Sequence, residues 1–119
     1  MGRRARTRDR VDKLRAPESE YADADGNVLV LRGSMSPLSR RRYAGVLHDQ
    51  SRTTDDSWQR AVEFLFERLA VRWVVHEVPT EGQKELLARY RIASPGERRW
   101  IRDTLRAHLA EHFPDVEAP

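Results

Sequence analysis

The sequence predicts a mainly α-helical fold, a small bundle of about four helices with a short extended segment in front of it. Three observations predict this. Apolar residues recur at three- and four-residue steps through the middle of the chain (Trp58, Val62, Leu65, Leu69, Trp73, then His76), as one buried helical face requires. Helix-start chemistry appears at Ser36-Pro37, at Thr80 with Gln83, and at Ser94-Pro95 with Glu97. One stretch alone, "NVLVLRG", reads clearly as extended chain, and it has no clean second strand near it. The alternative, if that stretch finds a partner, is an α+β fold with a small two-stranded element.

The first 27 residues contain almost nothing apolar beyond Val11, Leu14 and Tyr21. They read as a flexible charged arm, basic and then acidic, which leaves residues 28–119 as a single helical domain. About 90 residues suffice for one modest core that buries a little over ~60% of the chain's surface. Residues 1–15 carry seven basic and two acidic side chains, and residues 16–31 carry four acids and no base. The net charge of +3 therefore conceals a body at −2 once the first 15 residues are set aside. Arginine outnumbers lysine 20 to 2, a ratio that a GC-rich genome also produces, so arginine count alone argues little.

The absence of cysteine excludes disulfides, thiolate metal sites and thiol nucleophiles, and it fits a cytoplasmic location. No apolar run approaches the ~18 residues of a membrane span, so no membrane partner is expected. No apolar segment follows the basic N-terminus as a secretory signal would require. Arg6 stands where a myristoylation pattern needs Ser or Thr.

In chain order, "PLSRRRYAGVLH" is predicted as a helix from the Ser36 cap to about His48, with Leu38, Tyr43, Val46 and Leu47 as its apolar positions. "DQSRTTDD" is a polar connection whose Asp55 and Asp56 suit the positive end of the next helix dipole. The central helix follows, broadened by Phe64 and Phe66. Its spacing carries it to about His76, although the β-branched run "VRWVVHEV" also fits a strand; Pro79 ends it either way. The Thr80/Gln83 box opens "EGQKELLARY", and the Ser94/Glu97 box opens the last helix, which Pro114 closes.

Residues 108–112 read His-x-x-Glu-His, which resembles the zinc signature of the inverzincin metalloproteases. His108 and His112 share a helical face, but a third ligand is lacking: the only acids after them are Asp115 and Glu117, beyond Pro114. Both histidines bracket Ile101 and Leu105 on the helical wheel, so they are expected in or beside the core. No metal, no cofactor and no catalytic residue is assigned. The acid pairs Asp23/Asp25 and Asp55/Asp56 fit a linker and a helix start, and Glu63/Glu67 fit a salt-bridge ladder with Arg60 and Arg68.

"QKELLARYRIASPGERRWIRDTL" resembles a helix-turn-helix, with Gln83, Glu85, Leu86, Ile92, Trp100 and Ile101 at matching places. It departs from that pattern at Leu87, Arg91 and Glu97. The resemblance implies base contacts from near the start of the second helix, at Gly96, Arg98, Arg99 and Arg102. Arg99, Arg102 and Arg106 form one stripe on that helix, and "RRRY" at 40–43 adds a second basic patch.

These readings lead to a non-enzymatic, nucleic-acid-associated or transcription-linked accessory protein. It uses Arg3, Arg4, Arg6, Arg8 and Arg10 of the arm, with Arg98, Arg99, Arg102 and Arg106 as the second contact. The alternative is a protein-interaction module or homo-oligomeric adaptor built on an aromatic face of Trp58, Phe64, Phe66 and Trp73.

Overall fold

The computed structural model describes residues 17–119 and shows an α+β fold. In order, its elements are β1 (Glu18–Ala22), β2 (Val28–Arg32), α1 (Pro37–Leu47), α2 (Thr54–Leu69), β3 (Ala70–Val75), β4 (Val78–Glu81), α3 (Gln83–Arg91) and α4 (Pro95–His112). The four strands form one antiparallel sheet in the order β1-β2-β3-β4. The mainly helical bundle is therefore overturned, and so is the alternative with only two strands. Helices and strands make up 52% and 19% of the structure, a sheet too large to be an appendage of a bundle.

The partner that β2 needs lies in the acidic stretch. In "ESEYA" polar and aromatic side chains alternate. Ser19 pairs with Leu31 and Tyr21 with Leu29 on one face, while Glu18 and Glu20 fall on the other. The connecting turn is built by Asp23, whose Oδ1 accepts from the backbone N–H groups of Asp25 and Asn27, each at 2.9 Å. Gly26 supplies the left-handed conformation there, at φ 81. A domain boundary at residue 27 thus passes between the two strands of a hairpin, because β1 lies inside the segment assigned to the arm.

The central helix ends at Leu69 and not near His76. Ala70 turns the chain to extended geometry (φ −68, ψ 128), and "AVRWVV" enters the sheet. The β-branched content of that run decides the matter. His76 and Glu77 make the tight turn into β4 with φ of 48 and 68, the double left-handed geometry of a two-residue hairpin loop. The His76 N–H is held by Asn27 Oδ1 at 2.9 Å. Pro79 sits in β4, an edge strand, where its missing donor is tolerated.

With Thr80 in β4, opposite Trp73, the expected Thr80/Gln83 capping box does not form. Gly82 is the N-cap of α3, at φ 88, and Gln83 instead donates to the Glu67 carbonyl at 3.1 Å. The other start signals operate as capping chemistry. Ser36 Oγ accepts from Ser39 N–H at 3.1 Å. Ser94 and Glu97 exchange both bonds of a capping box, at 3.1 and 2.9 Å.

One sheet face and the inner faces of all four helices meet in a single core. Leu29, Leu31 and Trp73 come from the sheet; Tyr43 from α1; Leu65, Phe66 and Leu69 from α2; Leu86 from α3; Ile101, Leu105 and Leu109 from α4. Residues 114–119 cross α1, tied by Tyr43 Oη donating to Glu117 O at 2.6 Å and by an Arg40–Asp115 ion pair at 3.0 Å.

Candidate functional site

α4 presents two opposed faces. Ile101, Thr104, Leu105, His108 and Leu109 are buried, while Arg99, Arg102 and Arg106 are exposed. Three- and four-residue steps align these arginines in one row, with Arg99 and Arg106 about 10 Å apart along the axis. Among the described residues, neither Arg99 nor Arg106 has a carboxylate within ion-pair distance. Arg102 has only its exposed neighbour Asp103, at 3.7 Å. Arg98 plays a different part. Its guanidinium donates to the Tyr90 carbonyl at 3.4 Å and to the Arg91 carbonyl, closing the C-terminal end of α3.

Other arginines of the body are engaged. Arg52 and Arg60 bond Asp56, Arg89 pairs with Glu97 at 2.8 Å, and Arg91 bonds Glu63 at 2.7 Å. The "RRRY" patch is also partly committed, since Arg40 holds Asp115 and lies over the Phe113 ring, and Tyr43 is buried. Glu63 serves α3 through Arg91 instead of a ladder along its own helix.

The aromatic face does not exist as one surface. Phe66 and Trp73 are 0% and 2% exposed, packed edge to face at 6.0 Å, so neither is available to a partner. Arg89 covers the Trp73 ring at 4.6 Å. Phe64 is half-buried against Tyr43 and beneath Arg68. Of these four, Trp58 stands out, 52% exposed near the start of α2. The other large exposed apolar side chains, Leu38, Val78 and Ile92, lie on α1, on β4 and in the α3–α4 turn.

The arginine row and Trp58 share one cleft of about 410 Å³. Trp58, Gln59 and Asp55 of α2 form one wall; Arg98, Arg99, Arg102 and Arg106 of α4 form the other. Tyr90 and Val62 also line it, and Ala118 and Pro119 close an end. Four guanidinium groups thus face one side-chain carboxylate, Asp55. This surface is concave. A helix-turn-helix inserts its second helix into a groove, whereas here α2 stands beside the row that would enter. Chemically, the cleft offers cationic forks for an anion and an aromatic face beside them.

The His-x-x-Glu-His segment is structural in its geometry. His108 is fully buried, with Nε2 at 2.7 Å from the Arg32 carbonyl and Nδ1 at 2.7 Å from Tyr21 Oη. A carbonyl accepts only, so Nε2 carries the proton, and the Tyr21 hydroxyl donates to Nδ1. Both ring nitrogens are then engaged by the sheet. Burial pushes the His108 imidazole below its ordinary 6.5, against the opposing pull of the Arg32 carbonyl. The His112 ring lies beside it at 4.6 Å, tilted by 41°, and bonds Ser19 Oγ at 3.1 Å. Glu111 is exposed, with Oε1 3.9 Å from His112 Nε2. Among the described residues, no group of three His, Asp or Glu side chains is placed to hold a metal ion.

Arg3, Arg4, Arg6, Arg8 and Arg10 lie outside the described residues. Among the described residues, no helix is long and apolar enough to cross a membrane. The pairing of Trp58 with the α4 row was not legible in the sequence, since the two are more than 40 positions apart and carry no shared motif. Comparison with protein-family models, with curated proteins and with solved structures finds no match.

Proposed function

We propose that this is a non-enzymatic nucleic-acid-binding accessory protein whose folded body contributes one contact surface, the arginine wall of α4. The observation that carries this reading is the unbalanced charge of the cleft. Arg99 and Arg106 have no ion-pair partner among the described residues, and they share a concave surface with Arg98 and Arg102. Clustered cations repel one another, and low-dielectric walls concentrate their field, so a polyanion gains more here than at scattered surface arginines. The segment 1–15, with seven basic and two acidic side chains, adds a net charge of +5 to the same chain and strengthens the attraction to phosphates.

Binding by charge has a quantitative signature. The logarithm of affinity falls linearly with the logarithm of salt concentration, by about 0.9 per phosphate neutralised on duplex and about 0.7 on single strands. Reversing Arg99, Arg102 and Arg106 to Glu together is expected to flatten that slope by about 2–3 and to weaken binding at low salt more than tenfold. Deleting residues 1–15 flattens it further. Fluorescence anisotropy of a labelled oligonucleotide across a salt series reads both. An unchanged slope in the triple variant removes the α4 wall from the interface. Absence of binding to DNA and RNA at low salt overturns the reading as a whole.

A further inference from the structure

We infer that the cleft takes an unpaired nucleotide segment, with a base stacked on Trp58 and the adjoining phosphates along Arg99, Arg102 and Arg106; this rests on the nucleic-acid reading above. Trp58 is the starting point. A half-exposed indole at the edge of a charged cleft leaves apolar surface in water, although the same helix buries Val62, Leu65 and Leu69 in the core. Every base has a flat apolar face that fits such a ring, so a stacking contact with Trp58 is sequence-tolerant.

The shape of the cleft selects single strands. Its volume of about 410 Å³ lies in the ~300–1,000 Å³ range of small-ligand clefts. A base still paired in a duplex has both faces covered by its neighbours, and a ring in a cleft wall cannot reach it. An unpaired base presents its face freely. The arginine row, about 10 Å long, is long enough to meet more than one phosphate of a single strand. Asp55, the one acidic side chain lining the cleft, sits on the Trp58 wall, away from the row. Phosphates are thereby favoured on α4 and a neutral base edge on α2. Gln59, one residue beyond Trp58, offers both a donor and an acceptor to such an edge.

The test compares a labelled twelve-nucleotide oligothymidine with a twelve-base-pair duplex, binding to the full chain, to W58A and to W58F at low salt. The inference predicts tighter binding of the single strand than of the duplex. It predicts that W58A weakens the single strand about tenfold and the duplex less than twofold, and that W58F restores most of the loss. It further predicts quenching of Trp58 fluorescence by the single strand, measured as the difference between the full chain and W58F. Equal affinity for the two forms, or a W58A effect of the same size on both, overturns the inference and leaves charge-driven binding standing. No binding of either form overturns the underlying reading instead.

Discussion

A chain beginning at Val28 is expected to melt at least ~10 °C below a chain beginning at Pro17. The difference between them includes β1 and its turn. Removing β1 leaves the β2 backbone without a partner on one side and uncovers the Leu29 and Leu31 edge of the core. Tyr21 goes with it, so His108 Nδ1 becomes a buried acceptor with no donor, at a cost of about 1–3 kcal/mol. The lost burial of Tyr21, which packs on the core, adds about 1–2 kcal/mol. A total near ~3 kcal/mol is a large share of the 5–15 kcal/mol that holds a domain together. A domain of this size shifts its melting temperature by ~4–8 °C per kcal/mol. Thermal unfolding followed by circular dichroism is the measurement. Equal melting temperatures would show that β1 is not part of the cooperative unit and would return the boundary to residue 27.

The second large effect is at His108. Replacing it with Ala is expected to cost ~3 kcal/mol or more, because a filled core position becomes a cavity and two polar groups, the Arg32 carbonyl and the Tyr21 hydroxyl, lose their partner. The same site makes stability depend on pH. The folded state holds His108 neutral and below its ordinary 6.5, so between that value and the lower folded value the unfolded chain binds more protons. The contribution is complete above about pH 6.5 and is lost as pH falls below it. The groups facing His108 are Tyr21, the Arg32 carbonyl, the His112 ring and Phe113, with Glu111 nearby. H108Q keeps a donor for Arg32 and an acceptor for Tyr21 but does not titrate. Urea midpoints at pH 8 and pH 5.5 should therefore fall for the native chain and fall clearly less for H108Q. Parallel losses in both would place the acid sensitivity elsewhere.

Local chemistry was legible in the sequence where it is carried by a few adjacent residues. Ser36-Pro37 and the Ser94/Glu97 box mark helix starts because each uses its own side chain to satisfy nearby N–H groups. The sheet as a whole was not legible, although β2 read as extended chain and the β3 run fitted a strand, for two physical reasons. β1 is an edge strand whose inward positions are Ser19 and Tyr21, so it lacks the apolar alternation of a half-buried strand. In β3, Ala70 and Trp73 are buried three positions apart, because β3 carries a bulge: the register against β2 shifts between Val30 and Leu31 and leaves Val71 without a partner. That burial pattern imitates a helix, and it continued the helical spacing of α2 beyond Leu69. The arginine row of α4 could be read from its period, and the structure exposes it. That Trp58 faces it depends on how α2 packs beside α4, a tertiary fact with no local code. Phe66 and Trp73 belong to an apolar face wider than a small helical bundle covers, and the four-strand sheet supplies the core that buries them.

The central claim, that the cleft between α2 and α4 is the nucleic-acid contact of the folded body, is tested most directly by mapping backbone amide chemical shifts. The 15N-labelled full chain would be titrated with a short single-stranded oligonucleotide at low salt. The account predicts saturable shifts concentrated in residues 54–62 and 95–106, together with the Trp58 indole N–H, while β1–β4 remain unmoved. Shifts confined to residues 1–16, or spread over the sheet with the α4 row silent, would contradict it.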